Sequence, residues 1–495
     1  MWPSRLQYDR SVTEEGTGED EPGVRPAARA KHDRKPPQAL LDFIVTGWDD
    51  PGPTDTGPIP GLELYEARRK ALSERFPGLL VVVPSGVFKT RANDTEYRFR
   101  PGTDFLYLVG EGETDEVLVL EPDPGGGHRV RLYAEPEADF KSTSFFTDRN
   151  GAFWVGPRRG LQTTSSRFGL EARPLSELEQ VIRSHDRGVA LRGLDPAVDR
   201  AAQDLAGPDG DLAAFLSELR LRKDPLEVDM LQEAVDLTAL GFEDVVRALP
   251  DSRTERDIEV AFFSRARRGG NDTGYSTIAA AGSHATIMHW SHNTGELRHG
   301  DLLLLDAGVE TNRYYTADVT RTLPINGRFT PDQRQVYELV WRAQQAGIAA
   351  VRPGNDFLEP NRAAQAVLAR GLEEMGVLPI PAEESLRPDS QLHRRYTIHG
   401  VSHMLGLDVH DCAKSREEMY TEAKLEPGMV LTVEPGLYFQ PHDATVPQRL
   451  RGMGVRIEDD VVVTKDGCRV LSSNIPSHPD EVERWMAEIW ARRER

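Results

Sequence analysis

The sequence predicts an α+β protein of two domains, a smaller N-terminal α/β unit followed by helices on a mainly antiparallel sheet. Three observations carry this. The chain has 495 residues, more than one ordinary domain. Its first part alternates short apolar runs with a helical stretch, each run closed by Pro or Gly. Its second part carries long helices with legible start signals, separated by strand-like runs rather than by strand–helix–strand repeats.

The elements follow in order. Residues 1–45 are rich in Glu, Gly, Pro, Arg and Lys and lack apolar periodicity, so they read as a mobile arm. YEARRKALSERF reads as a helix from Leu62 that ends at Pro77–Gly78. LLVVVPSG, FLYLVG, EVLVLEP and RVRLYAEP then read as strands. Together they make a domain over 46–210. The segment 215–249 is helical and broken at Pro225. Thr254 and Asp257 form a predicted capping box, and that helix ends at Gly269–Gly270. Thr330, Pro331 and Gln333 open another helix, with a shorter one over 361–375. Strands are predicted within 301–310, 314–325, 428–439 and 454–464. This second domain spans 211–480, with a helical tail over 481–495.

Composition narrows the function. With 38% hydrophobic and 28% charged residues the chain is of the soluble globular class. A net charge of −20 argues against nucleic-acid binding, which needs clustered Lys and Arg. No run of eighteen apolar residues predicts a membrane span. Two cysteines, Cys412 and Cys468, cannot build a disulfide framework. The first residues have no apolar core of a secretory signal, so a cytoplasmic protein is expected.

Four acids then stand out. Asp306 follows four leucines, and Asp318 lies in TADVTRT with Thr316 and Thr320 on the same strand face. Glu434 ends the apolar run VLTV, and Glu458 shares a face with Arg456 opposite Val455 and Ile457. Each alone reads as a turn, cap or edge residue. Together, with the histidine-rich HGVSHMLGLDVHD (399–411) between them, they are hard to bury without cations. Two divalent ions would balance them, and oxygen-rich ligation favours Mn²⁺ or Co²⁺. Spacing alone leaves this dinuclear reading and the ordinary one open.

The stretches LLLLDAG, TADVTRTLPINGRFT, HGVSHMLGLDVHD, LEPGMVLTVEPGLYF and RGMGVRIEDDVVVT, in this order, resemble the pita-bread metallopeptidases. Within them the chain is most similar to the aminopeptidase P group, over most of 225–475. NDTEYRFRPGTDFLYLVG (93–110) resembles the motif of that group's N-terminal domain. The resemblance implies a dimetal aminopeptidase, with Mn²⁺ foremost, that cleaves peptides with proline in second position through a metal-bridging hydroxide. It implies five metal ligands, Asp306, Asp318, His403, Glu434 and Glu458. Glu434 would also move the proton, and His410 would steady the carbonyl oxygen. His289 would contact the reacting peptide, His399 would wall the proline pocket, and Arg456 would orient the acids. A homo-oligomer, dimer or tetramer, is implied as well.

Two relatives of the same fold are the alternatives: a dipeptidase for Xaa-Pro (prolidase), and a non-catalytic binding module. HGVSH, with Ser402, is more similar to aminopeptidase P, and no ligand is missing. Two departures matter. Asp306 and Asp318 are twelve apart where the family usually has eleven, which predicts a longer turn or a bulge within VETNRYYTA. The run HDCAKSREE after His410 predicts a differently shaped rim.

Overall fold

The computed structural model describes residues 36–49, 57–93, 95–137, 139–147 and 151–493. Most of the stretch read as an arm, 1–35, lies outside these. A short helix, Gln38–Ile44, occupies its end.

The first domain is a five-stranded sheet in the order Glu171–Pro174, His128–Ala134, Val117–Pro122, Leu80–Pro84, Gly188–Ala190. The three central strands pair antiparallel and both edges pair parallel. Helix Leu62–Arg75 lies beside it and buries Tyr65 and Leu72. One prediction fails here. FLYLVG is a helix, Thr103–Val109, not a strand. Phe105 to Val109 are all buried, so the run shows no helical periodicity, and an apolar run this short does not separate the two states.

In the second domain the helices start where their caps predict. Asp224 and Glu227 form a capping box at Pro225–Ala248, Thr254 and Asp257 one at Glu255–Gly269, and Thr330 and Gln333 one at Pro331–Ala350. These helices and Glu359–Glu374 back antiparallel strands. The terminal helix Pro479–Arg493 is packed into the same core through Val482, Met486 and Ile489.

The two domains share apolar packing. Leu212 and Leu216 of helix Asp209–Leu219, together with Tyr315, Leu405 and Leu407, join the core that holds Val81 and Phe105. The loop after His410 is drawn into this seam, where the Lys414 amide donates to Ser217 and Arg416 pairs with Glu218.

Candidate metal centre

Three antiparallel registers bring the acids together. In the first, Leu302–Ala307 pairs with Val319–Pro324, and Asp306 faces Thr320. The pairing runs on unbroken through Val309 and Ala317 to Thr311 and Tyr315. Every pair sums to 626 (306 with 320, 309 with 317, 311 with 315), so no bulge intervenes. The extra residue lies in a three-residue turn, 312–314, closed by Tyr314 at φ 68°. Register therefore holds, and Asp318 lies two residues along from Thr320, on the face of Asp306. Gly308 lies opposite Asp318, where a Cβ would collide with the Ala317 carbonyl.

The second register runs from Val430↔Val462 to Val433↔Asp459 and resumes at Gly436↔Arg456 with the same sum of 892. Glu434 therefore falls opposite Glu458. The third lays the segment 401–405 along strand Val430–Val433: the Glu434 amide donates to Val401 O, and the Thr432 amide to His403 O. His403 and Glu434 are thus diagonal neighbours on one face, as Asp306 and Asp318 are.

The side chains converge accordingly. His403 Nε2 is 3.3 Å from Asp318 Oδ2 and 3.5 Å from Glu434 Oε1. Asp318, His403 and Glu458 each offer a ligand atom within 4.8 Å of the other two. Arg456 pairs with buried Asp306, and Thr320 Oγ1 donates to Glu458 Oε2 at 2.6 Å. Val455 and Ile457 turn into the core, leaving Arg456 and Glu458 for the site. His399 Nε2 is 2.9 Å from the Tyr438 hydroxyl and Nδ1 is 3.5 Å from Glu434. His410 packs edge-on to His403 with ring centroids 4.4 Å apart. His410 and His289 are exposed, and His289 lies close enough to His399 and His410 to lower the pKa of both.

The electrostatics are those of a cation site. Burial pushes the Asp306 carboxyl up, against the pull of Arg456. Burial pushes Glu434 up to about 7, with His403 opposing and Asp318 adding to it. Burial, then Asp318 and Glu434, push Glu458 well above the carboxylate range. Burial works against the His403 cation, but its bond to Asp318 and the charge of Glu434 outweigh that and raise it to about 9. His399, by contrast, is held at about 4 by burial and by Arg456. Burial and His403 lower His410 too. Like charges placed opposite one another on a sheet are destabilising. Three buried carboxylates and half-buried Glu434, with one imidazole, supply oxygen donors that outnumber the Arg456 charge, so they fit hard or borderline divalent ions.

Several site residues carry no sequence signal of their own. Tyr275 Oη lies 2.6 Å from Asp306 Oδ1 and 2.5 Å from Asp318 Oδ1. The Tyr438 hydroxyl accepts from Arg456 Nη1 at 2.9 Å. Buried Asp460 accepts from the Asp318 amide at 3.1 Å. A lone tyrosine, or a second acid beside a recognised one, fits no spacing pattern. Only the strand parity around Glu434 and Glu458 hinted that Tyr438 and Asp460 face the site side.

The chain also resembles known proteins over most of its length. Residues 229–465 match the model of metallopeptidase family M24, and residues 65–189 match that of the aminopeptidase P N-terminal domain. Xaa-Pro aminopeptidase 1 of Streptomyces coelicolor is 50% identical over 91% of this chain and 92% of its own length. The Escherichia coli Xaa-Pro aminopeptidase is 33% identical, over 85% and 97%. Among solved structures, E. coli aminopeptidase P with the inhibitor Pro-Leu superposes with a TM-score of 0.78 at 32% identity, covering 88% of this chain and 99% of that one. Pseudomonas aeruginosa aminopeptidase PepP matches with the same values. The chain therefore belongs to the aminopeptidase P (Xaa-Pro aminopeptidase) group of metallopeptidase family M24.

Proposed function

We propose that this metallo-aminopeptidase removes the N-terminal residue from peptides with proline in second position, using two divalent ions, Mn²⁺ foremost. The observation that carries this is the convergence of Asp318, His403, Glu434 and Glu458, with Asp306 held beside them by Arg456, from strands of separate antiparallel sheets. Oxygen donors with a single imidazole support Mn²⁺ over a structural zinc site. Asp306, Asp318, His403, Glu434 and Glu458 would hold these ions. When bound, such a pair supplies an activated water and polarises the scissile carbonyl.

The chain's own groups do the rest. Glu434 takes the proton of the attacking water and passes it to the leaving proline nitrogen. His410 donates a hydrogen bond to the carbonyl oxygen as charge develops there. His399, fixed through Tyr438, forms the wall against the proline ring. His289, exposed beside His399 and His410, contacts the peptide. Arg456 holds Asp306 in place while bonding Tyr438 and Thr320.

Among the described residues no helix is long and apolar enough to cross a membrane. Both cysteines are free, which supports a reducing, cytoplasmic setting. Exposed Phe153 and Trp154 on the first domain support association of copies into a dimer or tetramer.

The test is release of the first residue from Xaa-Pro-Yaa and Xaa-Pro peptides with Mn²⁺, Co²⁺ or Zn²⁺, repeated on Glu434→Ala. Turnover of the tripeptide that is lost in Glu434→Ala is expected. Cleavage of the dipeptide alone would make the chain a dipeptidase instead.

A further inference from the structure

The motif RFRPGTD (98–104) of the first domain contributes no ligand, yet it grips the loop that carries His410 at two points. That loop closes on itself where the Asp411 amide donates to Met404 O at 3.0 Å. His403 and His410 therefore flank the closure, which accounts for their edge-on contact. Among the described residues none hydrogen-bonds the His410 ring, so the loop backbone sets where that ring stands.

One grip is at the tip. Arg100 Nη2 donates to Leu407 O at 2.6 Å, and Thr103 Oγ1 donates to Asp408 Oδ1 at 2.7 Å. The other is at the base. Asp104 pairs with Arg220, and Arg220 Nε donates to Asp411 Oδ1 at 3.0 Å. Lys223 Nζ holds the other oxygen at 3.1 Å, and the Cys412 amide donates back to Asp411 at 2.8 Å. Arg220, Lys223 and Asp411 are buried, where charge-assisted bonds are strong and leave little freedom.

We infer that Thr103 and Asp104 are positioning residues for the peptidase reaction: the N-terminal domain acts within its own chain as a splint that fixes the His410 imidazole against His403. This rests on the reading of His410 as the donor to the substrate carbonyl. Misplacing a reacting group by about 1 Å costs on the order of a hundredfold in rate, so a splint of this kind is worth building.

The test measures kcat and KM of the full-length Mn²⁺ enzyme on a Xaa-Pro-Yaa peptide. The variants are Thr103→Val, Asp104→Asn, His410→Ala, and each of the first two combined with His410→Ala. Thr103→Val and Asp104→Asn are expected to lower kcat by on the order of tenfold, with KM within about twofold. In the His410→Ala background the same changes should alter kcat by less than about twofold. Losses of equal size in both backgrounds would show a merely structural role and overturn the inference. So would wild-type kcat in Thr103→Val, the milder change, which serves where Asp104→Asn does not fold. Wild-type kcat in His410→Ala alone would instead mark failure of the His410 reading, and the inference would fall with it.

Discussion

Asp306 and Asp318 stand diagonally across one unbroken antiparallel ladder, and a single phenol, Tyr275 Oη, lies within 2.6 Å of both. The residue added between them is spent in the turn at 312–314, far enough along the ladder to leave their common face intact. Burial and the neighbouring carboxylates hold the Tyr275 phenol well above its ordinary range, so it is a donor at any working pH.

Tyr275→Phe should therefore weaken metal binding without unfolding the protein. Outer groups that orient ligands are typically worth about 10- to 100-fold in affinity. Titration calorimetry with Mn²⁺ on the metal-free protein is expected to show a loss of on the order of tenfold. An unchanged affinity would make the hydroxyl a bystander.

Glu458 gives a prediction with two signs. A carboxyl whose folded pKa is raised costs stability once pH exceeds its unfolded value of about 4.3. Burial, Asp318, Glu434 and Asp306 all raise Glu458. Glu458→Gln keeps an acceptor for Thr320 and removes the charge. Metal-free Glu458→Gln should therefore melt higher than metal-free wild type at pH 7. With Mn²⁺ the order should reverse, since wild type at 100 times its Kd gains about 2.7 kcal/mol from the ion. Scanning calorimetry with and without chelator reads both. A variant that melts lower in both states would refute the charge argument.

The sequence carried the parts of this molecule that depend on local patterns. Thr254, Thr330 and their N3 partners mark helix starts because a cap is a contact between residues three apart. Asp306 and Glu434 show as acids at the ends of apolar strands because burial leaves a mark on hydropathy. Phe105–Val109 misled for the same reason in reverse: a helix buried all round has no polar face to give it a period. Tyr275 and the Asp104–Arg220–Asp411 chain were illegible because their meaning comes from contacts between residues 31 or more apart, on segments whose meeting only the tertiary fold decides.

The turn at 312–314 offers a test of register. Replacing Asn312–Arg313–Tyr314 by Asn-Gly would shorten the loop to a type I′ hairpin, compatible with the flanking ladder. The ligand face should survive, because the pairing from Leu302↔Pro324 onward fixes it. Mn²⁺ stoichiometry is expected to be unchanged and kcat to stay within about threefold. Stability should fall by about 1 kcal/mol, since the Arg100 guanidinium loses the Tyr314 ring 5.8 Å away. Loss of metal binding would mean that the turn, not the ladder, sets the register.

Asp411 supplies the pH dependence. Burial alone would raise its carboxyl, but Lys223 and Arg220 outweigh that and hold it at about 2. A depressed acid contributes stability that is fully present above its unfolded pKa of about 3.9 and is lost as pH falls through its folded value. The contribution at neutral pH is about 2.6 kcal/mol, and it should vanish between about pH 4 and pH 2. Asp411→Asn removes it at every pH and leaves Lys223 and Arg220 short of a counter-charge, a loss of about 3 kcal/mol or more for a broken buried pair. Melting temperatures of wild type and Asp411→Asn, taken from pH 7 down, should therefore lie far apart at neutral pH and converge below pH 4. A gap that stays constant across that range would mean that Asp411 acts through shape and hydrogen bonding alone, and that its charge is not what binds the His410 loop to the Arg220 and Lys223 pair.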